Sequence, residues 1–311
     1  MAEVLVIGAT SMVGSDFVQH GGFACAALGR RDPRALGLAV ERFDSVDLED
    51  PLALHRRIVQ APEPAIVNFA AITDVDGVEA ERPVDLGAAA GPAWRVNALA
   101  PAYLAHGAGE GKRQFVQVST DFVFDGEAGP YDETASRSPF SPRVSWYGWT
   151  KGEGERRTLV ILPPSAIVRI AYPFRADFPS KLDFARRLLQ RYREGSLPPL
   201  YTDQQISPTW IPDVTAAVGA VIRQRFSGLL HVASPDLTTP YEFALALIGE
   251  SVGHRVDLPQ GTLGTGAPPA HRAPRPLKGG LRSVRAAGLG LRPTSWREGI
   301  RQLLRISGGR S

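Results

Sequence analysis

Short runs of residues that are apolar on both faces of a strand recur along the first half of the chain. They occupy residues 4–7, 24–28, 65–69, 115–118 and 166–170, and helical patterns lie between most of them. A strand that is apolar on both faces belongs in the middle of a parallel sheet covered by helices. The alternation therefore predicts an α/β fold with a Rossmann-type, doubly wound parallel sheet.

The alternation of strands and helices stops near residue 170. Proline, arginine and aromatic residues dominate 172–201, around one amphipathic helix near 181–193, before helix resumes at 210–223 and strand at 229–233. This order predicts a Rossmann-type domain of residues 1–170 and 206–232. A smaller, discontinuous substrate-binding lobe is expected from residues 171–205 and 233–311, with helices near 241–252 and 295–306.

Charge and composition exclude several classes of protein. The 311 residues carry 35 Lys and Arg against 32 Asp and Glu, and the cations form no stripe interleaved with aromatic residues, so no nucleic-acid partner is expected. Residues 1–7 lack the regions of a signal peptide, and no run approaches the roughly 20 apolar residues of a membrane helix. The single Cys25 indicates a buried thiol in a reducing compartment. We expect a cytoplasmic protein without a membrane partner, and a homodimer is a candidate assembly.

A glycine-containing turn separates the first strand from the first helix. Gly8 and Gly14 flank this turn, and Ser11 stands where a middle glycine is usual. Glycines let the backbone approach a pyrophosphate, and the helix N-terminus offers unpaired N–H groups to the anion. The turn predicts a dinucleotide site, in which the Ser11 hydroxyl adds a donor.

The second apolar run ends at two arginines, Arg30 and Arg31. A binder of NAD usually carries a carboxylate at this strand end, whereas a guanidinium matches a 2′-phosphate. The pair favours NADP(H) over NAD(H); the alternative is two solvated arginines on a surface turn. Asp47, after the third strand, is a candidate partner of the adenine ring or a cap of the helix that follows.

Tyr147 and Lys151 are four residues apart at the expected start of a helix, so both share one face. A phenol acts as a general acid near neutral pH if a neighbouring cation lowers its pKa, and Lys151 is that cation in this interpretation. The alternative is an exposed amphipathic helix face.

No metal site is expected. The six histidines are widely separated, and we expect none of them to pair with a cysteine or carboxylate at metal-ligand spacing.

Seven motifs in order resemble the extended short-chain dehydrogenase/reductases, and among them the dTDP-4-dehydrorhamnose reductase family. They are Gly8-Ala9-Thr10-x-x-x-Gly14, the segment 68–76, Val96-Asn97-Ala98, the segment 119–126, Tyr147-Gly148-x-x-Lys151, Asp203-Gln204-x-x-Ser207-Pro208-Thr209 and Arg272-x-x-Arg275-Pro276.

The resemblance implies reduction of a sugar carbonyl by NADPH. Tyr147 would protonate the carbonyl oxygen, Lys151 would lower the tyrosine pKa and bind the nicotinamide ribose, and Thr120 would hydrogen-bond the same oxygen. Ser119 is the rival of Thr120 for the hydroxyl role. Asn97 is either a proton relay or a polar group in helix packing.

The resemblance also implies two sets of binding residues. The cofactor set is Gly8, Thr10, Ser11, Met12, Val13, Gly14, Arg30, Arg31, Asp47, Leu48, Ala70, Ala71 and Lys151. The substrate set is Thr73, Val75, Asp121, Phe122, Tyr172 and Arg275. Arg275, with Arg272, would meet the diphosphate of a nucleotide sugar; the alternative is a surface arginine cluster.

Two departures leave the substrate open. The family commonly has an aromatic hydroxyl where Phe122 stands and a tryptophan where Tyr172 stands. The function expected is therefore NADPH-dependent reduction of the 4-keto group of a nucleotide-activated deoxysugar, dTDP-4-dehydrorhamnose or a close relative. The alternatives are a non-catalytic NADP(H)-binding sensor or regulatory subunit of the same fold, and a sugar-nucleotide epimerase.

Overall fold

The computed structural model describes residues 2–85, 88–139, 141–176, 181–264 and 272–308. Seven parallel strands form the central sheet: β1 Val4–Ile7, β2 Cys25–Gly29, β3 Arg42–Ser45, β4 Ala65–Asn68, β5 Gln114–Thr120, β6 Ala166–Ile170 and β8 Gly228–His231. Their spatial order is β3-β2-β1-β4-β5-β6-β8, and every neighbouring pair is parallel. The doubly wound parallel sheet predicted from the apolar runs is confirmed.

Helices follow the strands along the chain, and some of them cover the two faces of the sheet. They are α1 Met12–His20, α2 Pro51–Val59, α3 Val75–Glu79, α4 Ala100–Glu110, α5 Trp146–Ile161, α6 Phe184–Arg193, α7 Ile211–Arg223, α8 Pro240–Val252 and α9 Trp296–Gly308. A π-helical stretch, Trp94–Leu99, leads directly into α4. Among the described residues, no helix is both long and apolar enough to span a membrane.

Alternate side chains of each strand enter different cores. Val4 and Val6 of β1 pack in the cluster that includes residues of α1 and α7. Leu5 and Ile7 pack in the cluster that includes residues of α2 and α4. All four are at most 1% exposed, and each such side chain contributes about 1.5–3 kcal/mol through burial. Burial on both faces explains why β1 is apolar at every position.

A separate apolar cluster lies in the later part of the chain. It joins α6, α8 and α9, and Phe174, Phe243 and Trp296 are among its buried residues. Two short parallel strands, β7 Leu200–Tyr201 and β9 Gln260–Gly261, form a second sheet beside it. The division of the chain after residues 170, 205 and 232 stays a prediction.

Strand β5 ends, and helix α6 begins, at residues other than those predicted from the sequence. Strand β5 continues to Thr120, two residues beyond the apolar run, so Thr120 stands at its carboxyl end. Helix α6 begins at Phe184 because Asp183 caps it, accepting a hydrogen bond from the Arg186 N–H at 2.9 Å.

Candidate active site

One cavity of about 630 Å³ lies at the carboxyl edge of the sheet. The segments that follow β1, β2, β3, β4, β5 and β6 all contribute to its lining, since parallel strands end at the same edge. The segment 181–184, Arg187 and Arg275 line it from outside the sheet. Every residue of the two predicted binding sets and the catalytic set lines this cavity except Gly14.

The turn after β1 approaches the loop after β4 closely. Gly8 has φ +76°, and a Cβ there would lie 2.7 Å from the backbone nitrogen of Ala70. Ser11 caps α1 by accepting a hydrogen bond from the Gly14 N–H over 3.0 Å, which leaves the hydroxyl proton of Ser11 to donate. Gly14 thus shapes the turn from within α1 without lining the cavity. The residues present fit a bound pyrophosphate.

Two exposed arginines line the cavity beyond β2. Within the part of the chain that the structure describes, neither Arg30 nor Arg31 forms an ion pair. The next carboxylate, Asp32, is engaged by Arg34, whose guanidinium donates to it at 2.7–3.0 Å. The local charge beside the cavity is therefore positive, as a 2′-phosphate requires.

Asp47 and Leu48 line the same end of the cavity after β3. Asp47 accepts from the Glu49 N–H at 3.0 Å, whereas the cap of α2 is Asp50, which accepts from the Ala53 N–H at 3.0 Å. The capping role considered for Asp47 thus belongs to Asp50.

Tyr147 and Lys151 lie one turn apart at the start of α5. Ser145 caps this helix by accepting from the Gly148 N–H at 3.1 Å. Tyr147 is 8% exposed and Lys151 is 5% exposed, and Lys151 Nζ donates to the Val118 carbonyl of β5 at 2.8 Å. The alternative interpretation, that this pair lies on an exposed helix face, is wrong because both side chains are buried.

Burial sets the pKa values of this pair. It raises the pKa of Tyr147 above its ordinary value; Asp121 adds to the rise, and a hydrogen bond with Thr120 opposes it. Burial lowers the pKa of Lys151 to about 8, against the effect of the Glu155 carboxylate. The expected lowering of the tyrosine pKa is therefore wrong for this structure, because desolvation prevails and the ammonium is directed at Val118. Tyr147 holds its proton across neutral pH.

Thr120 and Asp121 close the end of β5 beside the phenol. The Thr120 hydroxyl donates to Asp121 Oδ1 over 3.3 Å. Burial raises the pKa of Asp121 to about 7, although hydrogen bonds, that of Thr120 first among them, oppose the rise. A carboxyl group that changes charge near neutral pH therefore lies against the reacting region.

Ser119 also lines the cavity, but its hydroxyl acts on the Glu155 carboxylate. Burial opposes ionisation of Glu155, but the Arg169 guanidinium, and in smaller measure the Ser119 hydroxyl, hold the pKa of Glu155 below its usual range. No hydrogen bond of ordinary geometry joins Ser119 Oγ to a described residue. Thr120, which does interact with Tyr147, is the better placed hydroxyl.

The Asn97 amide is fully engaged in packing. It donates to the Ile72 carbonyl at 3.0 Å and accepts from the Ile72 N–H at 2.9 Å. It also donates to Thr150 Oγ1 at 3.3 Å and is 1% exposed. These bonds tie the π-helical stretch to the loop after β4 and to α5, as the packing interpretation of Asn97 requires.

Phe122 and Tyr172 stand side by side near the phenol. The Phe122 ring centroid is 5.7 Å from that of Tyr147 and 6.3 Å from that of Tyr172. Tyr172 has φ +43°, an uncommon conformation for a residue other than glycine, and its hydroxyl accepts from Gln204 Nε2 at 3.0 Å. The two departures from the family pattern thus share one wall of the cavity.

Arg275 lines the cavity with its charge already paired. It donates to both carboxylate oxygens of Asp76, at 2.8 and 2.9 Å. Arg272 donates to the Tyr201 hydroxyl at 2.9 Å and is not among the lining residues. The surface-cluster alternative does not describe Arg275, which bridges two distant parts of the chain.

Two further cations line the cavity, Lys181 and Arg187, and no sequence motif indicated either of them. Lys181 Nζ donates to Thr73 Oγ1 at 2.9 Å, across from the loop after β4. Burial lowers the pKa of Lys181, and the charge of Arg187 lowers it further. Neither cation is joined to a carboxylate by an ion pair among the residues described. The amphipathic pattern near 181–193 predicts a helix, but it does not show which cations of that segment face the cavity.

The prediction that no histidine pairs with a carboxylate at metal-ligand spacing is wrong for His106. His106 and Glu110 are four residues apart on α4, and His55 of α2 lies beside them. His55 is distant in sequence, so only the packing of the two helices brings the group together. His271 lies outside the described residues.

Comparison with known proteins identifies relatives along nearly the whole chain. Residues 1–307 match the family model described as the RmlD substrate binding domain. A probable dTDP-4,6-dihydroxy-2-methyloxan-3-one 4-ketoreductase of Streptomyces antibioticus is 33% identical over 304 residues, which cover 96% of this chain and 93% of the relative. A dTDP-4-keto-6-deoxy-D-glucose reductase of Streptomyces niveus is 31% identical and covers 84% of each chain.

A solved structure has the same architecture. The crystal structure of a dTDP-4-dehydrorhamnose reductase from Clostridium acetobutylicum superposes with a TM-score of 0.78 at 25% identity. The match covers 98% of this chain and 99% of the other.

Proposed function

The chain belongs to the family of the RmlD substrate binding domain, and on that premise we propose that it reduces the 4-keto group of a nucleotide-activated deoxysugar with NADPH. One observation supports the proposal most: a single cavity is lined by the phosphate-binding turn, by the Tyr147 phenol and by the Thr120 hydroxyl. A nucleotide and a carbonyl can therefore occupy adjacent parts of one site. Relatives are named for different 4-ketosugars, so the sugar is assigned only as dTDP-4-dehydrorhamnose or a close relative.

Tyr147 is the proposed general acid. Its raised pKa keeps the proton on the phenol at neutral pH, where it can pass to a carbonyl oxygen as negative charge develops there. Thr120 donates a second hydrogen bond to the same oxygen, for which its hydroxyl must turn from Asp121. Lys151, with a pKa of about 8, is mainly cationic at pH 7, and its proposed partner is the bound cofactor rather than the Tyr147 phenol.

The proposed cofactor site follows the ends of β1, β2, β3 and β4. The turn from Gly8 to Gly14 would hold the pyrophosphate, Arg30 and Arg31 the 2′-phosphate, and Asp47 with Leu48 the adenosine. Ala70 and Ala71 would lie along the dinucleotide, and Lys151 would bind the nicotinamide ribose. When bound, NADPH supplies the hydride that reduces the carbonyl carbon.

The proposed sugar site lies between the ends of β4, β5 and β6 and the segment near α6. Its side chains are those of Thr73, Val75, Asp121, Phe122, Tyr172 and Arg275. Lys181 and Arg187 supply the positive charge that a diphosphate requires, since the guanidinium of Arg275 is held by Asp76.

The proposed setting is the cytoplasm. Cys25 is buried, and burial raises the pKa of its thiol to about 12, which fits an unreactive thiol in a reducing compartment. We assign nucleic acid no role, and we propose a homodimer as the assembly. Val160 and Ile161, exposed apolar residues at the end of α5, are side chains that a second copy can cover.

The proposal is tested by following NADPH oxidation with a panel of dTDP- and UDP-linked 4-ketosugars. Stoichiometric NADPH consumption and formation of the 4-hydroxyl product are expected with at least one dTDP-ketosugar. Binding of NADPH without oxidation across the panel would instead indicate a sensor. Conversion of a sugar without net NADPH consumption would indicate an epimerase.

A further inference from the structure

Two imidazoles and one carboxylate converge on the outer surface, where α2 packs on α4. His55 Nε2 lies 2.9 Å from His106 Nδ1 and 3.4 Å from Glu110 Oε2. His106 Nδ1 lies 3.7 Å from Glu110 Oε1. None of the three residues lines the catalytic cavity.

The two helices hold these groups together through close packing beneath them. Gly107 makes this approach possible, because a Cβ there would lie 2.7 Å from Ile58 Cγ2. Leu54 and Ile58 of α2 and Leu104 of α4 are completely buried in one apolar cluster. His55 and His106 therefore project from a well-packed pair of helices, and their positions do not depend on a loop.

The separations of four atoms, one nitrogen of each imidazole and both carboxylate oxygens of Glu110, match the ligand sphere of a small metal ion. Nitrogen and oxygen ligands at about 2.0–2.1 Å from tetrahedral zinc are about 3.3 Å apart. The observed separations of 2.9, 3.4 and 3.7 Å surround that value.

We propose that His55, His106 and Glu110 bind a divalent transition metal ion of the zinc type, with water at the remaining position. Imidazole nitrogen with carboxylate oxygen is a ligand set for zinc, copper or nickel, whereas calcium and magnesium prefer oxygen ligands alone. His55, His106 and Glu110 are 26%, 56% and 46% exposed, so an ion reaches them from solvent. The bound ion joins α2 to α4 and stabilises the folded chain without taking part in the reduction.

The test uses the full-length chain without a histidine tag, stripped with EDTA and titrated with ZnCl₂. Calorimetry is expected to give one zinc ion per chain, with a dissociation constant in the micromolar range or below. At a hundredfold excess of zinc over that constant, the Tm rises by roughly 5 °C. His106→Ala and Glu110→Gln each weaken binding at least tenfold and remove most of the Tm shift. His254→Ala, which replaces an exposed histidine elsewhere, leaves both unchanged.

Substitution with Co²⁺ supplies a readout independent of stability. The wild-type chain is expected to show visible d–d absorption bands of a four-coordinate Co²⁺ site, and His106→Ala is expected to lack them. The proposal is overturned if zinc does not bind at a single saturable site. It is equally overturned if His106→Ala binds zinc and shifts in Tm as the wild type does.

Discussion

Lys151 Nζ donates a 2.8 Å hydrogen bond to the carbonyl oxygen of Val118, two residues before Thr120 on β5. This bond attaches the first turns of α5 to the strand that ends in the candidate hydroxyl. Tyr147 and Thr120 consequently reach the same region of the cavity from two different elements. The pKa of Lys151 falls to about 8 in the same buried position.

NADPH affinity is expected to depend on the charge of Lys151. Because the folded-state pKa is about 8, below the ordinary 10.5, the ammonium loses its proton as the pH rises through 8. The dissociation constant should be constant near pH 6–7 and rise about tenfold per pH unit well above 8. Fluorescence titration from pH 6 to 9.5 measures it. Lys151→Met should bind weakly without this pH step; a wild-type constant that stays level to pH 9.5 would show that the lysine charge is not used.

Selectivity for the phosphorylated cofactor is expected to depend on Arg30. A charge-assisted bond contributes about 1.5–3 kcal/mol, so Arg30→Ala should weaken NADPH binding about 10- to 100-fold. NADH affinity should change little, because NADH lacks the 2′-phosphate. Arg34→Ala is the matched control, since Arg34 is held by Asp32. Equal affinities for the two cofactors before and after Arg30→Ala would refute the assignment to NADP(H).

Substrate binding is expected to weaken when the cations near α6 are removed. Lys181→Met and Arg187→Ala should each raise the KM for the nucleotide sugar about tenfold, or about 1.4 kcal/mol. The NADPH dissociation constant should not change. Arg191→Ala, an exposed arginine on the same helix outside the cavity, is the control. Unchanged KM values in both cavity variants would mean that the diphosphate lies elsewhere.

The stability of the fold is expected to depend on pH through Asp121. Burial raises its pKa to about 7, so the folded state keeps a proton that the unfolded state releases near pH 4. The resulting stabilisation is complete below the unfolded pKa and is lost as the pH rises through 7. Between pH 5 and pH 8 the free energy of unfolding of the wild type should fall by about 2–3 kcal/mol more than that of Asp121→Asn.

Urea denaturation at the two pH values measures this difference for Asp121→Asn. Asp236→Asn, at an exposed position, should follow the wild type. If the free energy of unfolding changes equally between pH 5 and pH 8 in the wild type and in Asp121→Asn, Asp121 is not a buried carboxyl group that titrates in this range.

Local patterns predicted the sheet well because burial on both faces makes a strand apolar at every position, as at Val4–Ile7. The start of a helix at Tyr147 was also predicted, and in the structure Ser145 caps that helix. Almost all the predicted residues lie in one cavity, in part because the motifs at 8–14, 68–76 and 119–126 stand at the carboxyl ends of parallel strands.

Contacts between side chains that are far apart in the sequence leave no local sequence pattern from which they could be predicted. Asp76 and Arg275 are 199 positions apart, and Thr73 and Lys181 are 108 apart, so the sequence did not reveal which cation is paired. The packing of His55 against His106 was hidden for the same reason. The pKa of Tyr147 was misjudged because helical spacing reports that Lys151 is near but does not report desolvation.

Tyr147→Phe tests the proposed chemistry most directly, because it removes the proton and keeps the ring. With a dTDP-4-ketosugar that the wild type reduces, kcat should fall by about 10² to 10⁴, the contribution typical of a general acid. The NADPH dissociation constant, measured on the same preparation, should stay within about twofold, since it does not depend on the acid. Reduction of the ketosugar by Tyr147→Phe at the wild-type rate would contradict the role of Tyr147 as the proton donor.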